Sequence, residues 1–152
     1  MEEELSISKK IELSKYYYND SQDALKSSNL LFKYGYYKDA IRSAYYACFN
    51  IIGSLLILNN MFVENYNTMS MEFYYGFIKT NLIDQEIHTK FCELHSIKNT
   101  VNYTKPFTIS KDKTEQYLKY TNDIFNTVKN LRKEIINKIS KTHKINKNNL
   151  NL

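Results

Sequence analysis

Residues 34–58 read Tyr-Gly-Tyr-Tyr-Lys-Asp-Ala-Ile-Arg-Ser-Ala-Tyr-Tyr-Ala-Cys-Phe-Asn-Ile-Ile-Gly-Ser-Leu-Leu-Ile-Leu, and this stretch decides the fold. Gly35 supplies the left-handed conformation that commonly ends a helix, so it separates two helices. After it, Ala40, Ala44, Ala47, Ile51, Leu55 and Leu58 recur at steps of three and four, which places them on one helical face. The alanines leave little to hold two helix axes apart, so a neighbouring helix is expected to pack closely there.

Working outward, Tyr17, Ala24, Leu25, Leu31 and Phe32 recur at helical spacing before Gly35 and predict a first helix over 8–33. The second helix is expected over 37–59, ended by Asn59 and Asn60. Residues 62–70 read as a connection and 71–79 as a short third helix. Asp84 fits the N-cap of a fourth, with Ile87, Phe91, Leu94, Ile97 and Val101 as its apolar stripe until Pro106 stops it. Ser110 caps a long fifth helix carrying Tyr117, Thr121, Ile124, Val128, Leu131, Ile135 and Ile139 on one face. With three Gly and one Pro in 152 residues, turns are few and helices long. The expectation is an all-α fold, an up-and-down antiparallel bundle of four to five helices. It forms a single domain over 1–142, followed by a basic, Asn-rich disordered tail over 143–152.

The chain starts Met-Glu-Glu-Glu, without the basic region of a secretion signal. Its longest apolar stretch, residues 51–58, contains Gly53 and Ser54 and is far shorter than the ~18–20 residues of a bilayer span. No membrane helix and a cytoplasmic location are expected. Cys48 and Cys92 lack a Cys-x-x-Cys spacing and read as free thiols of a reducing compartment. The net charge of +5 is unevenly placed: from Lys129 onward seven basic residues face one acid, whereas residues 1–128 hold 14 basic and 15 acidic. The basic character therefore belongs to the end of the last helix and the tail, where it serves solubility or RNA contact. Fourteen Tyr beside abundant Asn, Lys and Ile fit an A+T-rich coding sequence, so Tyr16, Tyr17 and Tyr18 read as half-buried packing rather than a stacking platform.

Residues 35–40 (Gly-Tyr-Tyr-Lys-Asp-Ala) and 42–49 (Arg-Ser-Ala-Tyr-Tyr-Ala-Cys-Phe), with 18–31 before them and 73–79 after, resemble the small HEPN domains and their AYYA helix. The resemblance covers roughly residues 16–131. It implies a helical bundle of a family that includes RNA-cutting toxins and inert partners in such systems. It also implies a homodimer with a cleft between subunits, no cofactor, and either RNA or a small nucleotidyltransferase-type protein as partner. In the family the AYYA helix and the motif helix lie close together, so Arg42, Tyr45 and Tyr46 are expected near the motif as cleft residues.

At the motif the chain departs from the family. Where relatives read Arg-x-x-Ala-Asp-Tyr, this sequence reads Lys98-Asn-Thr-Val-Asn-Tyr103. Active relatives follow the Arg with a polar residue and a His four to six positions on. Here Lys98, Asn99 and Tyr103 occupy those places. Metal-free RNA cleavage needs a base at the 2′-hydroxyl, an acid at the leaving oxygen and a cation against the phosphorane charge. His suits the first two roles, whereas Tyr titrates near a pH of about 10 and is neutral at pH 7. Lys98 offers phosphate a point charge without the planar two-point contact of Arg. His95, Lys98, Asn99 and Asn102 are spaced three, four and seven apart on one helical face, so His95 is a candidate for the missing imidazole.

His88, Cys92 and His95 also share a face. Seven residues of helix rise about 10 Å, too far for the two histidines to hold one zinc ion unaided, so no metal site is expected. The sequence thus points first to a binding or regulatory protein with weak or absent catalysis. The alternative is a metal-independent endoribonuclease built on Lys98, Asn99, Asn102, Tyr103 and His95.

Overall fold

Three serines, not the apolar residues of the first helix, make its closest contact. The computed structural model describes the backbone of residues 5–150 and the side chains of residues 5–144. Five α-helices and no strand occur among the described residues: α1 (Ile7–Lys33), α2 (Tyr37–Leu56), α3 (Tyr66–Phe73), α4 (Gln85–Tyr103) and α5 (Lys111–Leu150). Ser14, Ser21 and Ser28 of α1 are fully buried. Their hydroxyls donate to the α2 carbonyl oxygens of Ser54 (2.6 Å), Ala47 (2.6 Å) and Ala40 (2.8 Å). Each seven-residue step forward along α1 is matched by a seven-residue step back along α2, which fixes an antiparallel register. Only small side chains permit that approach: a Cβ on Gly53 would lie 3.2 Å from the Tyr17 ring. Tyr17, Ala24, Leu25, Leu31 and Phe32 sit half-buried on the flanks of this seam.

Between α1 and α2, Gly35 has φ of 82°, the left-handed value that favours glycine. α2 is the central helix, and Ile51, Ile52, Leu55 and Leu56 are fully buried with Phe73, Phe77, Phe91, Leu94, Ile124 and Val128. Each such side chain contributes about 1.5–3 kcal/mol on burial. Residues Tyr37–Asn59 are long and apolar enough to cross a membrane, whereas no such helix is expected from the run 51–58 alone, interrupted as it is by Gly53 and Ser54. Some 72% of the most apolar window is buried by the other helices, as befits a bundle's core.

The third helix starts earlier than expected. Asn65 takes an extended conformation and its side chain accepts the Thr68 N–H at 3.0 Å, so the N-cap lies within the stretch read as a connection. α3 then passes into a wider turn over Tyr74–Ile78, closed by the Lys79 N–H on the Tyr74 carbonyl at 2.8 Å. Asp84 precedes α4 in an extended conformation without a side-chain cap bond, whereas Ser110 Oγ accepts the Lys113 N–H at 3.1 Å. α5 is helical through Leu150, past the position where the sequence reading begins a disordered tail; residues 151–152 and side chains beyond 144 lie outside the described residues. Arg132 fastens α5 to α1, donating from Nε to Ser14 Oγ at 2.8 Å with its guanidinium 4.6 Å from the Tyr18 ring centre.

Candidate functional site

The opposite side of α2 is built from large side chains. Arg42, Tyr45, Tyr46 and Phe49 follow one another at helical steps, and across from them α4 presents His95, Lys98 and Asn102 at the same steps. Glu64, Asn65 and Tyr66 close a third side, and together these residues line a pocket of about 470 Å³. The Tyr45 ring lies at its floor, parallel to the buried Phe91 ring with centroids 6.1 Å apart. Burial drives the Tyr45 hydroxyl far above its ordinary range, so it stays neutral.

Two cations flank this floor. The Lys98 ammonium lies 4.5 Å from the Tyr45 ring centre, a cation–π contact on the order of 1 kcal/mol. Among the described residues no carboxylate lies within ion-pair distance of it. Partial burial moves the Lys98 pKa below its ordinary value. Arg42 is held on both sides: Nε donates to Asn102 Oδ1 at 2.7 Å and Nη1 to Asp39. The Arg42–Asn102 bond joins α2 to α4 across the pocket wall.

His95 stacks flat on Tyr66, with ring centroids 3.4 Å apart and planes within 4°. Its pKa is lowered first by burial and then by Lys98, so the neutral ring is favoured at pH 7. The Asn99 side-chain nitrogen stands 3.3 Å from Nε2. With the amide so oriented, it donates to Nε2 and leaves the ring proton on Nδ1. The Tyr66 hydroxyl is pushed up to about 12, chiefly by burial and then by its bond to Cys92.

Of the residues the sequence marks, Arg42, Tyr45, Tyr46, His95, Lys98 and Asn102 line one pocket. Asn99 lies outside the lining and orients His95. Tyr103 ends α4 with 80% of its surface exposed and does not enter the pocket. His88 and Cys92 turn to another neighbour, Ser70: its hydroxyl lies 3.0 Å from His88 Nε2. Sequence reasoning missed Phe49, Glu64, Asn65 and Tyr66. The Asn65 cap, two residues beyond Val63, is the signal that would have placed the last three at a helix start.

Residues 14–131 match the HEPN domain family. The chain belongs to that family. The match spans α2, α3 and α4, and therefore the whole pocket. This HEPN chain is also similar to a protein of Methanocaldococcus jannaschii named "Putative toxin MJ0142". The two are 27% identical over 105 residues, which cover 69% of this chain and 71% of the relative.

Proposed function

We propose that this HEPN protein binds single-stranded RNA in the α2–α4 pocket, with weak or absent cleavage. The observation that carries the reading is the Lys98 ammonium, held over the Tyr45 face and outside any ion pair among the described residues, with Glu64 lining the same pocket beyond ion-pair distance. A cation so placed meets a phosphate, Arg42 adds a second donor, and the Tyr46 and Phe49 rings offer surfaces on which a base can stack. A cytoplasmic homodimer acting through RNA, or through a nucleotidyltransferase-type protein held at the same cleft, completes the reading.

A second reading, metal-independent RNA cleavage of toxin type, draws support from His95, which shares the pocket with Lys98 and is biased to its neutral form. The toxin name of the similar archaeal protein is of the same kind. Against it stands the Asn99 amide, which takes up the Nε2 lone pair a general base would use. Purified protein and its Lys98→Ala variant, incubated with a mixed RNA pool in excess EDTA, separate the readings. Binding without cutting, lost in the variant, supports the first. Cutting by wild type alone establishes the second, and no RNA association by either protein overturns both.

A further inference from the structure

The last part of α5 differs in charge from everything before it. Residues 129–144 hold Lys129, Arg132, Lys133, Lys138, Lys141 and Lys144 against the single acid Glu134. These side chains stand on a helix whose rotation is fixed by what it buries. Leu131, Ile135 and Ile139 are half-buried, and the two isoleucines share a groove of about 410 Å³ with Ile7 and Leu58. Arg132 is drawn inward to Ser14 and Tyr18. At about 100° per residue, Lys129, Lys133, Lys141 and Lys144 then fall on the side opposite the apolar seam, with Lys138 at the groove's edge. All five lysines are exposed, and none joins an ion pair among the described residues. Lys129, Lys133, Lys141 and Lys144 form a band about 22 Å long, whereas Lys138, half a turn round from Lys129, stands apart from it.

We infer that this face of α5 is a second RNA-contacting surface, a row of phosphate contacts that lengthens the stretch of strand held by the protein; the inference rests on RNA binding in the pocket. A lipid surface fits the row poorly. A helix lying on a membrane turns its apolar face to the lipid, whereas Leu131, Ile135 and Ile139 face the bundle. Lysines suit phosphates, which they meet as point charges without regard to base sequence. Phe49 of the pocket and Leu58 of the groove are nine residues apart along α2 and its last turn, about 13 Å of rise, and the lysine face lies beyond the groove on the far side of α5, so a strand that touches both must be a long one.

The test compares labelled 4-nucleotide and 16-nucleotide RNAs of mixed sequence by fluorescence anisotropy over a series of salt concentrations. Wild type is set beside Lys133→Gln/Lys141→Gln/Lys144→Gln, the same three positions changed to Arg, and Lys98→Ala. Single-strand contacts give about 0.7 of salt slope each, so the Gln triple lowers the slope on the long RNA by about 2 and its affinity on the order of 100-fold at 0.1 M salt. Binding of the short RNA is unchanged, and the Arg triple binds as wild type does. A Gln triple that holds the 16-nucleotide RNA as tightly as wild type overturns the inference, even where Lys98→Ala still abolishes binding of the short RNA. Long-RNA binding that depends on the three lysines but not on Lys98 supports this surface and overturns the pocket reading. Lysine-dependent binding to phosphatidylserine vesicles, with no effect on RNA, overturns the inference in favour of a membrane.

Discussion

The two sides of α2 solve opposite problems. Towards α1 it presents Ala40, Ala47 and Ser54, whose carbonyl oxygens receive three buried hydroxyls, and a glycine against which the Tyr17 ring lies. No buried side-chain polar atom is left without a partner among the described residues. Towards α4 the same helix presents Arg42, Tyr45, Tyr46 and Phe49, which keep the helices far enough apart to leave about 470 Å³. There a lysine ammonium faces an aromatic ring instead of a carboxylate. Small side chains with closed hydrogen bonds give register and stability, whereas large ones around a lysine that joins no ion pair among the described residues leave an open pocket. Changes on the first side are therefore expected to act on folding, and changes on the second on binding.

The largest effect should come from enlarging the seam. Ala47 is fully buried and its carbonyl oxygen accepts from Ser21 at 2.6 Å. Ala47→Leu would push α1 away and break that bond, at a cost of about 3 kcal/mol or more. Urea denaturation measures it through the midpoint at unchanged slope. A variant within about 0.5 kcal/mol of wild type would show that the helices are not closely packed there.

Lys98→Ala is the converse. Loss of a charged contact to phosphate is worth about 1.5–3 kcal/mol, which corresponds to roughly 10- to 100-fold in RNA affinity. Stability should stay within about 1 kcal/mol, because removing a partly desolvated cation offsets the lost ring contact. Equilibrium binding beside urea denaturation reads both quantities. A variant that unfolds while binding RNA normally at low temperature would make Lys98 a packing residue.

Ser21→Ala should be milder than either. It removes one hydroxyl from a carbonyl that remains part of the helix, so about 1 kcal/mol is expected, with RNA affinity unchanged. Denaturation again decides, and a neutral result would assign the register to side-chain size alone.

This contrast also explains what could be read from the sequence. The alanines at 40, 44 and 47 announce a close neighbour, and the apolar stripes of α4 and α5 recur at the helical period, so the bundle is legible. The serines of α1 escape because a stripe of polar residues resembles a solvated face until the α2 carbonyls are seen opposite. Arg42, Tyr45, Tyr46, His95, Lys98 and Asn102 could be gathered because they lie on two helices at regular steps. Glu64, Asn65 and Tyr66 could not, since they come from a helix start recognised only by its Asn65 cap. Nothing in residue spacing shows that Tyr103, one position past Asn102, points out to solvent while Asn102 bonds to Arg42.

The smallest effect, and the one that bears most directly on whether the pocket receives an anion, concerns His95. Its pKa in the folded protein lies below the ordinary 6.5, because burial and Lys98 disfavour the charged ring. Between the folded value and 6.5 the unfolded chain binds the extra proton and the folded one does not, so stability rises with pH through that window and falls on acidification. His95→Gln should flatten this slope. A bound phosphate reverses the balance: it favours the imidazolium, raises the pKa, and so tightens RNA binding as pH drops below about 6.5. The added proton goes to Nε2, so the Asn99 amide must turn its oxygen towards the ring, which ties this response to Asn99. NMR titration of His95 with and without a short RNA checks both signs. An upward shift on binding, reduced in Lys98→Ala, would place the phosphate between the two side chains. A free-protein value at or above 6.5 would mean that the ring is neither desolvated nor repelled, and would remove the electrostatic distinction between this side of α2 and the seam.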